Sequence, residues 1–163
     1  MVKSNMLIRE IQLKDNKQIE KVIKDTFIEV GLPLKGTAFE DIETSKMFES
    51  YQGENEIYFV IEVNGEVLGG AGVKQLKEFK NEVCEIQKMY FSPIIRGKGY
   101  GKIIFEKCLQ TAKELGYKKC YLESASVLKT AIHIYKKYGF KHLDKPLGNT
   151  GHYSCGVWMT KDL

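Results

Sequence analysis

Apolar residues recur with two different periods along the chain, and the first third predicts one strand followed by two helices. Residues 7–12 alternate as a short strand does, and Asp15 then stands where a helix N-cap is expected. The apolar positions of the first helix follow at helical spacing: Ile19, Val22, Ile23 and Phe27. Glycine and proline break this helix within residues 31–36, and residues 37–51 predict a second, weaker helix.

The middle third predicts three strands. Two apolar runs, 57–63 and 66–73, flank Asn64-Gly65, the preferred pair for a two-residue hairpin turn because both positions need a positive φ. Residues 81–91 form a further long strand, which we expect to pair antiparallel with the second strand of the hairpin.

The last third alternates helices and strands. Residues 100–115 and 129–138 predict helices that each end at a glycine, and residues 119–123 predict a strand between them. Two more strands are predicted near residues 140–143 and 153–160. The whole order predicts an α+β fold of α/β/α layers, in which a mixed, mostly antiparallel sheet of about seven strands is flanked by about four helices.

Composition and charge are those of an ordinary globular protein. The 163 residues, with 43% hydrophobic and 28% charged side chains and no linker or repeat, predict a single domain over residues 1–163. Neither a signal peptide nor an apolar stretch near the ~20 residues of a membrane span is found, so we expect a cytoplasmic protein that engages no membrane. The net charge of +4 is scattered, without the basic and aromatic pattern of nucleic-acid binding. Four cysteines without a C-x-x-C pair are expected to be buried free thiols: Cys84, Cys108, Cys120 and Cys155.

The segment after the strand at residues 81–91 carries the strongest chemical signal. Pro93 ends the strand, and a helix begins near Tyr100. Three glycines stand at alternate positions around the start of this helix: Gly97, Gly99 and Gly101. Three basic residues lie next to them: Arg96, Lys98 and Lys102. Glycine lets backbone N–H groups approach a ligand closely, and the first N–H groups of a helix are unpaired at the positive end of its dipole. The segment therefore predicts a binding site for a phosphate group.

Spacing excludes two familiar phosphate-binding motifs. A P-loop needs a glycine five positions before its Gly-Lys pair and a Ser or Thr after it, but Arg96 and Ile103 occupy those positions. The dinucleotide fingerprint G-x-G-x-x-G fails as well, because Lys102 or Ile104 stands where the third glycine belongs. The spacing therefore argues against nucleotide-dependent phosphotransfer.

Two blocks of sequence resemble a known family. Arg96-x-x-Gly99-x-Gly101 resembles the Q/R-x-x-G-x-G/A loop of the GNAT superfamily of N-acetyltransferases, and it lies between a strand and a helix as in that family. The segment 131–140, which reads A-x-x-x-Y-x-x-x-G-F, is similar to a second block of the family. The resemblance extends over residues 55–143. It implies the GNAT fold and direct transfer of an acetyl group from acetyl-CoA to a primary amine in a ternary complex, with no metal.

The resemblance also implies where acetyl-CoA binds. The amides of residues 96–102 would hold its pyrophosphate, and the strand edge at 89–91, commonly opened by a bulge in this family, would pair with the pantetheine arm. The expected cofactor-binding positions are Met89, Tyr90, Phe91, Arg96, Gly97, Lys98, Gly99, Tyr100, Gly101, Lys102 and Lys129. Many family members have a pantetheine-binding Asn after the fifth strand, which the segment 124–130 lacks. Either that contact is absent, or one of three residues replaces the Asn: Ser126, Lys129 or Thr130.

Two residues match catalytic positions of the family. Glu85 would accept a proton, directly or through water, because only a neutral amine can attack and a free alkylamine with a pKa near ~10 is mostly protonated at pH 7. It shares a strand face with Gln87, and the alternative is a salt-bridged surface glutamate. Tyr135 would donate a proton to the leaving thiolate, and the alternative is a packed tyrosine whose hydroxyl binds a backbone carbonyl.

The amine acceptor stays open on sequence alone. We assign His152 to acceptor binding, because it lies in a polar loop that often borders the acceptor pocket in this family. Its spacing to Cys155 is loosely that of metal ligands, but without a second pair we expect no metal. A polyamine, an amino acid, an aminoglycoside and a protein amino group are not distinguished. Three acidic residues would attract a cationic acceptor or lie on the solvated surface: Glu43, Glu49 and Glu54.

One alternative function accompanies this interpretation. The rival function is a non-catalytic acyl-CoA-binding or regulatory module on the same fold, since fold does not fix function. The partner that the resemblance implies is a small-molecule or peptide amine. Strand edges often pair in this family, so the resemblance also implies a homodimer as a further expectation.

Overall fold

Seven strands form one mixed sheet in the computed structural model, which describes residues 5–163. The strands are β1 (Met6–Glu10), β2 (Ile57–Val63), β3 (Glu66–Gln75), β4 (Val83–Phe91), β5 (Lys119–Ser124), β6 (Lys141–Leu143) and β7 (Val157–Asp162). The helices are α1 (Asn16–Val30), α2 (Met47–Ser50), α3 (Tyr100–Glu114) and α4 (Lys129–Lys137). The order across the sheet is β1-β2-β3-β4-β5-β7-β6; neighbours run antiparallel, and the exception within residues 5–163 is the parallel pair β4–β5. The predicted fold class is confirmed.

Apolar cores fill both faces of the sheet, as α/β/α layers require. One face buries residues of α1 against the hairpin strands: Ile19, Ile23, Phe27, Tyr58 and Val60. The opposite face buries residues of α3 against the centre of the sheet: Ala71, Val73, Ile86, Ile104, Phe105 and Cys108. Burial of one stripe of each helix explains the helical spacing of the apolar residues. Within the described part of the chain, none of the helices combines the length and the apolar composition of a bilayer-spanning segment.

The hairpin and the strand after it form as predicted. Asn64 and Gly65 have φ angles of 51° and 84°, the positive values that a two-residue turn of this kind needs. β3 then pairs antiparallel with β4 across the centre of the sheet. The two apolar runs and the Asn-Gly pair between them therefore predicted both the strands of the hairpin and their pairing.

One predicted helix is wrong. Residues 37–51 form a 3-10 turn at Ile42–Ser45 and the single turn α2, not one continuous helix. The hydroxyl of Thr44 donates a hydrogen bond to the carbonyl of Ala38 at 2.5 Å. Such a bond from a side chain satisfies a backbone carbonyl outside a helix, and so competes with a regular helical ladder.

The structure also corrects two details at the ends of elements. Asp15 precedes α1, but its carboxylate accepts hydrogen bonds from Arg9 Nη1 (2.8 Å) and from the amide of Gln12 (2.7 Å) instead of capping the helix. The last strand begins at Val157 and not near residue 153, because the loop before it turns at Gly156 with a φ of 84°.

Gly72 of β3 gives a test of the packing around the centre of the sheet. An added Cβ there would lie 2.6 Å from Cδ2 of Tyr58 and 2.8 Å from Cε1 of Tyr51, and both rings are buried. We expect Gly72→Ala to lower the free energy of unfolding by about 1–3 kcal/mol in urea denaturation, because the rings cannot both move aside. Gly101→Ala is the matched control, since its nearest contact would be 3.4 Å away. Equal stability of the two variants would contradict this packing.

Candidate active site

β4 and β5 separate near the middle of the sheet. They pair over three residues each, Val83–Glu85 with Lys119–Tyr121, although β4 continues to Phe91 and β5 to Ser124. The register between β3 and β4 shifts at the same level, where Lys88 takes a positive φ of 51°. This bulge re-aims the second half of β4 and leaves its edge toward β5 without a partner strand among residues 5–163.

A cavity of about 440 Å³ occupies the space that this separation opens. It is lined by eight of the eleven predicted cofactor positions: Met89, Tyr90, Phe91, Arg96, Gly97, Gly101, Lys102 and Lys129. The other three lie beside it, Lys98 and Gly99 in the loop and Tyr100 at the start of α3. Of the residues considered in place of the missing Asn, Lys129 and Thr130 line the cavity, whereas Ser126 is exposed outside its lining.

The glycine loop at the mouth of this cavity has the backbone that the sequence predicted. Gly97 and Gly99 adopt φ angles of 72° and 84°, which favour glycine, and an added Cβ at either would meet no atom within 4 Å. The amide of Ile103 donates to the carbonyl of Gly99 at 3.2 Å. Helix geometry therefore leaves the amides of residues 100–102 without an acceptor inside α3. Gly101 and Lys102 line the large cavity, so two of these three amides belong to residues at its wall.

The side chain and the amide of Arg96 bind other groups of the protein in this structure, so its expected role in surrounding the anion stays a prediction. Its guanidinium donates to both carboxylate oxygens of Glu29 at 2.7 and 2.9 Å, and to the carbonyl of Phe91 at 2.9 Å. Its amide donates to the carbonyl of Pro93 at 3.3 Å. Arg96 therefore ties α1, the end of β4 and the loop together. Exposed Lys98 and Lys102 keep the positive charge near the loop.

Glu85 is a buried carboxyl, not a surface residue. It is 3% exposed, and Nε2 of Gln87 donates to its Oε1 at 2.6 Å, so the shared strand face is confirmed. Among residues 5–163 it forms no salt bridge, which removes the alternative of a salt-bridged surface glutamate. Burial raises the pKa of Glu85 to about 8; the charge of Glu123 adds to this shift, and the bond from Gln87 opposes it.

Tyr135 lies between two cavities. It lines the large cavity and also a smaller one of about 90 Å³ that Glu85 lines as well. Its ring packs 5.4 Å from that of Phe105, while its hydroxyl makes no hydrogen bond to the described residues and is not a buried unsatisfied atom. The hydroxyl therefore reaches cavity space, and the alternative of a bond to a backbone carbonyl is not found. Burial raises the pKa of the phenol.

The smaller cavity is walled by a charged network that sequence reasoning largely missed. Nε2 of His152 donates to Oδ2 of Asp41 at 2.5 Å, and the buried ammonium of Lys88 lies 3.4 Å from the same oxygen. Lys88 also lies 3.4 Å from Glu43. On the other side of the ring, Nδ1 of His152 is 3.8 Å from Oε1 of Glu123. Asp41, Lys88 and Glu123 thus join the predicted His152 and Glu43 in one site.

Charge and burial act in opposite directions on this network. Burial disfavours the charged form of Asp41, but the hydrogen bond from His152 and the charge of Lys88 outweigh it and lower the pKa of the carboxyl. Burial would lower the pKa of His152, but the hydrogen bond to Asp41 outweighs it and raises that pKa. The two groups therefore favour an ion pair.

The other acidic residues and the cysteines considered from the sequence differ in whether they lie at the smaller cavity. Glu49 accepts a bond from Asn16 at 2.9 Å on the surface, and Glu54 is exposed, so neither faces this cavity. Three cysteines are buried free thiols as predicted: Cys84, Cys108 and Cys120. Cys155 is only half-buried and lines the smaller cavity. A charged residue inside an apolar strand is the sequence signal that marks Glu123 and Lys88; Asp41 lies outside the strands and carries no such signal.

Comparison with known proteins assigns the family. The profile of the acetyltransferase (GNAT) family matches residues 18–140, which is more than half of the chain. The chain belongs to the GNAT acetyltransferase family. This GNAT protein is 40% identical over 158 residues to YjgM of Escherichia coli K12, an uncharacterized N-acetyltransferase, and the match covers 96% of this chain and 95% of YjgM. It is therefore an acetyltransferase that takes its acetyl group from acetyl-CoA.

Solved structures agree on the GNAT fold. An acetyltransferase of the family from Staphylococcus aureus Mu50 superposes with a TM-score of 0.85 at 16% identity, covering 97% of this chain and 99% of that chain. The putative acetyltransferase yncA of Salmonella typhimurium, solved with its cofactor acetyl-CoA, superposes with a TM-score of 0.76 at 20% identity. The match covers 98% of this chain and 94% of yncA. At these identities the likeness shows the fold.

Proposed function

We propose that this GNAT enzyme transfers the acetyl group of acetyl-CoA directly to a primary amine in a ternary complex, with Glu85 as base and Tyr135 as acid. The observation that carries the proposal is that both side chains line one small cavity, while Tyr135 also lines the large cavity between β4 and β5. Tyr135 thus stands where a donor from one side and an acceptor from the other would meet.

The large cavity suits an extended, anionic donor. The amides of residues 97–102 and the ammonium groups of Lys98 and Lys102 would hold the pyrophosphate. The unpaired edge of β4 at 89–91 would bind the amide-rich pantetheine as an added strand does. Bound acetyl-CoA supplies the activated thioester that the chain itself lacks.

Glu85 is suited to deprotonate the acceptor. Its raised pKa of about 8 makes the ionised carboxylate a stronger base than an ordinary glutamate, and so better matched to an ammonium group. The hydrogen bond from Gln87 fixes the carboxyl, and Tyr51 donates in turn to Oε1 of Gln87 at 2.6 Å. This chain of bonds holds the base in place on β4.

The smaller cavity favours a cationic acceptor. Four carboxyl groups border the cavity or its rim: Asp41, Glu43, Glu85 and Glu123. Lys74, Lys88 and His152 balance the charges of three of these groups, so the excess negative charge arises when Glu85 ionises. The ionised Glu85 would attract an ammonium group and convert it to the neutral nucleophile. His152, predicted from its loop, would contact the acceptor.

We expect the turnover number to increase with pH through about 8 and then to level off. Only the ionised form of Glu85 can accept a proton, and burial keeps this carboxyl protonated at lower pH. The measurement is turnover at saturating acetyl-CoA and amine from about pH 6 to about pH 10, a range that brackets the pKa of Glu85 and extends to that of a free alkylamine. An NMR titration of the carboxyl groups should show one glutamate that titrates near the same pH. A turnover number that is flat across this range would contradict the assignment of Glu85.

A screen of amines tests the proposed function. Purified protein and acetyl-CoA are incubated with a polyamine, an amino acid, an aminoglycoside and a lysine-containing peptide, and both free CoA and acetylated product are measured. We expect stoichiometric release of CoA and acetylation of at least one cationic amine. Tight acetyl-CoA binding without acetylation of any amine would favour the non-catalytic acyl-CoA-binding module instead.

A further inference from the structure

Three side chains of metal-binding types meet in the smaller cavity. Glu123 at the end of β5 and His152 and Cys155 in the loop before β7 place their ligand atoms within 4.8 Å of one another. The sequence offered only the His152–Cys155 pair, and the fold adds Glu123 as a third donor. All three are half-buried, so they are shielded from bulk water yet accessible to an ion from the cavity.

The ring of His152 has the orientation that a metal ligand needs. Its Nε2–H donates to Oδ2 of Asp41 at 2.5 Å, so loss of the second ring proton, from Nδ1, leaves the lone pair there. Nδ1 faces Glu123, with 3.8 Å between it and Oε1. A carboxylate that accepts the other ring proton of a metal-bound histidine is a recurrent feature of zinc sites, because it fixes the tautomer and the direction of the lone pair.

Hydrogen bonds also fix the orientation of the Glu123 carboxylate. The hydroxyl of Tyr121 donates to its Oε2 at 2.9 Å, and the hydroxyl of Thr150 donates to its Oε1. Metal-ligating carboxylates are commonly held by such hydrogen bonds. Zinc bonds of about 2.0–2.3 Å place tetrahedral ligand atoms roughly 3.3–3.6 Å apart, so a contraction of at most about 1.5 Å closes the observed spacing around an ion.

We propose that Glu123, His152 and Cys155 bind a divalent transition-metal ion of the zinc class, and that the bound ion inhibits acetyl transfer by excluding the amine. The mixed oxygen, nitrogen and sulfur donor set suits zinc. When the ion binds, the Cys155 thiol and Nδ1 of the His152 imidazolium each release a proton to solvent, and metal–sulfur and metal–nitrogen bonds form. Two anionic ligands and a neutral imidazole then face the dication, and charge is balanced.

Inhibition follows from the position of the site. Three protein ligands leave a fourth tetrahedral position, which faces the cavity that Glu85 and Tyr135 also line. At about 90 Å³ this cavity does not hold both a hydrated ion and the reactive end of an amine. The ion and the amine therefore compete for one space. Metal binding rests on the geometry alone, whereas inhibition rests on the proposed acetyl transfer.

The binding test uses chelator-treated full-length protein. Zinc is titrated calorimetrically, and cobalt(II) is added as a spectroscopic substitute. We expect one equivalent of zinc and a thiolate-to-cobalt charge-transfer band in the wild type. Cys155→Ser should abolish the band and weaken zinc binding at least tenfold, and Asp41→Asn should weaken it about 10- to 100-fold. Ser154→Ala, next to the ligand, is the control and should bind like the wild type. Absence of one-to-one binding, or unchanged binding by Cys155→Ser, would overturn the site.

The inhibition test measures acetylated product by mass spectrometry, because zinc also binds the thiol of free CoA. Zinc should raise the apparent KM for the amine and leave that for acetyl-CoA unchanged. For each variant, the rate is compared with the rate of the same variant without zinc. Cys155→Ser should need at least tenfold more zinc than the wild type for the same fractional loss of rate. Zinc that binds without competing with the amine would overturn the inhibitory role. If the protein acetylates no amine even without zinc, the proposed function is contradicted. The cobalt spectrum would still show whether the metal site exists.

Discussion

Tyr135→Phe is expected to lower the turnover number by about 100-fold or more, with the affinity for acetyl-CoA nearly unchanged. The substitution removes only the hydroxyl, which reaches cavity space without a hydrogen bond to the described residues. The ring keeps its packing against Phe105, so the wall of the donor cavity is preserved. The measurements are steady-state turnover with the best amine of the screen and calorimetric titration with acetyl-CoA.

Tyr138→Phe provides the matched control on the same helical segment. Tyr138 donates to Glu106 at 2.5 Å, and its ring also packs against Phe105, but it lines neither cavity. We expect wild-type turnover from this variant. Unchanged turnover of Tyr135→Phe would remove Tyr135 from the mechanism, and an equal loss in both variants would indicate a structural effect on packing.

Glu85→Gln is expected to lower turnover by about 100- to 10,000-fold, the usual contribution of a general base. At neutral pH most of the Glu85 side chain is protonated, because burial raises its pKa to about 8, and a glutamine has the shape of that protonated form. The fold and the binding of acetyl-CoA should therefore be retained. Thermal unfolding and calorimetric titration check both, and the rise of turnover through pH 8 should disappear.

Glu82→Gln is the control for this substitution. Glu82 lies just before β4 and pairs with Lys118 at 3.3 Å on the surface, away from both cavities. Its turnover and its pH dependence should match those of the wild type. If Glu85→Gln kept more than about a tenth of wild-type turnover, the base would have to be another group, and Glu123 across the small cavity would be the next to replace.

Sequence was most informative where function depends on neighbouring residues. The glycine loop could be predicted because its backbone angles and the start of α3 come from one short segment, in which Gly97 and Gly99 need positive φ. Glu85 and Gln87 could be placed on one face because strand residues two apart point the same way. Neither inference required knowledge of the tertiary fold.

Sequence was least informative where distant segments meet. Arg96 looked available to an anion, but Glu29, 67 positions earlier, binds its guanidinium. Glu123 enters the site because β5 separates from β4, and Asp41 enters because the segment predicted as a helix is broken into short turns. Such contacts depend on strand separation and loop docking, which local periodicity does not encode.

A crystal structure with acetyl-CoA tests the central claim most directly. The account predicts that the pyrophosphate lies within hydrogen-bonding distance of the amides of residues 97–102, and that pantetheine runs along the edge of β4 at 89–91 toward Tyr135. A pyrophosphate bound elsewhere on the protein, or pantetheine outside the space between β4 and β5, would contradict it.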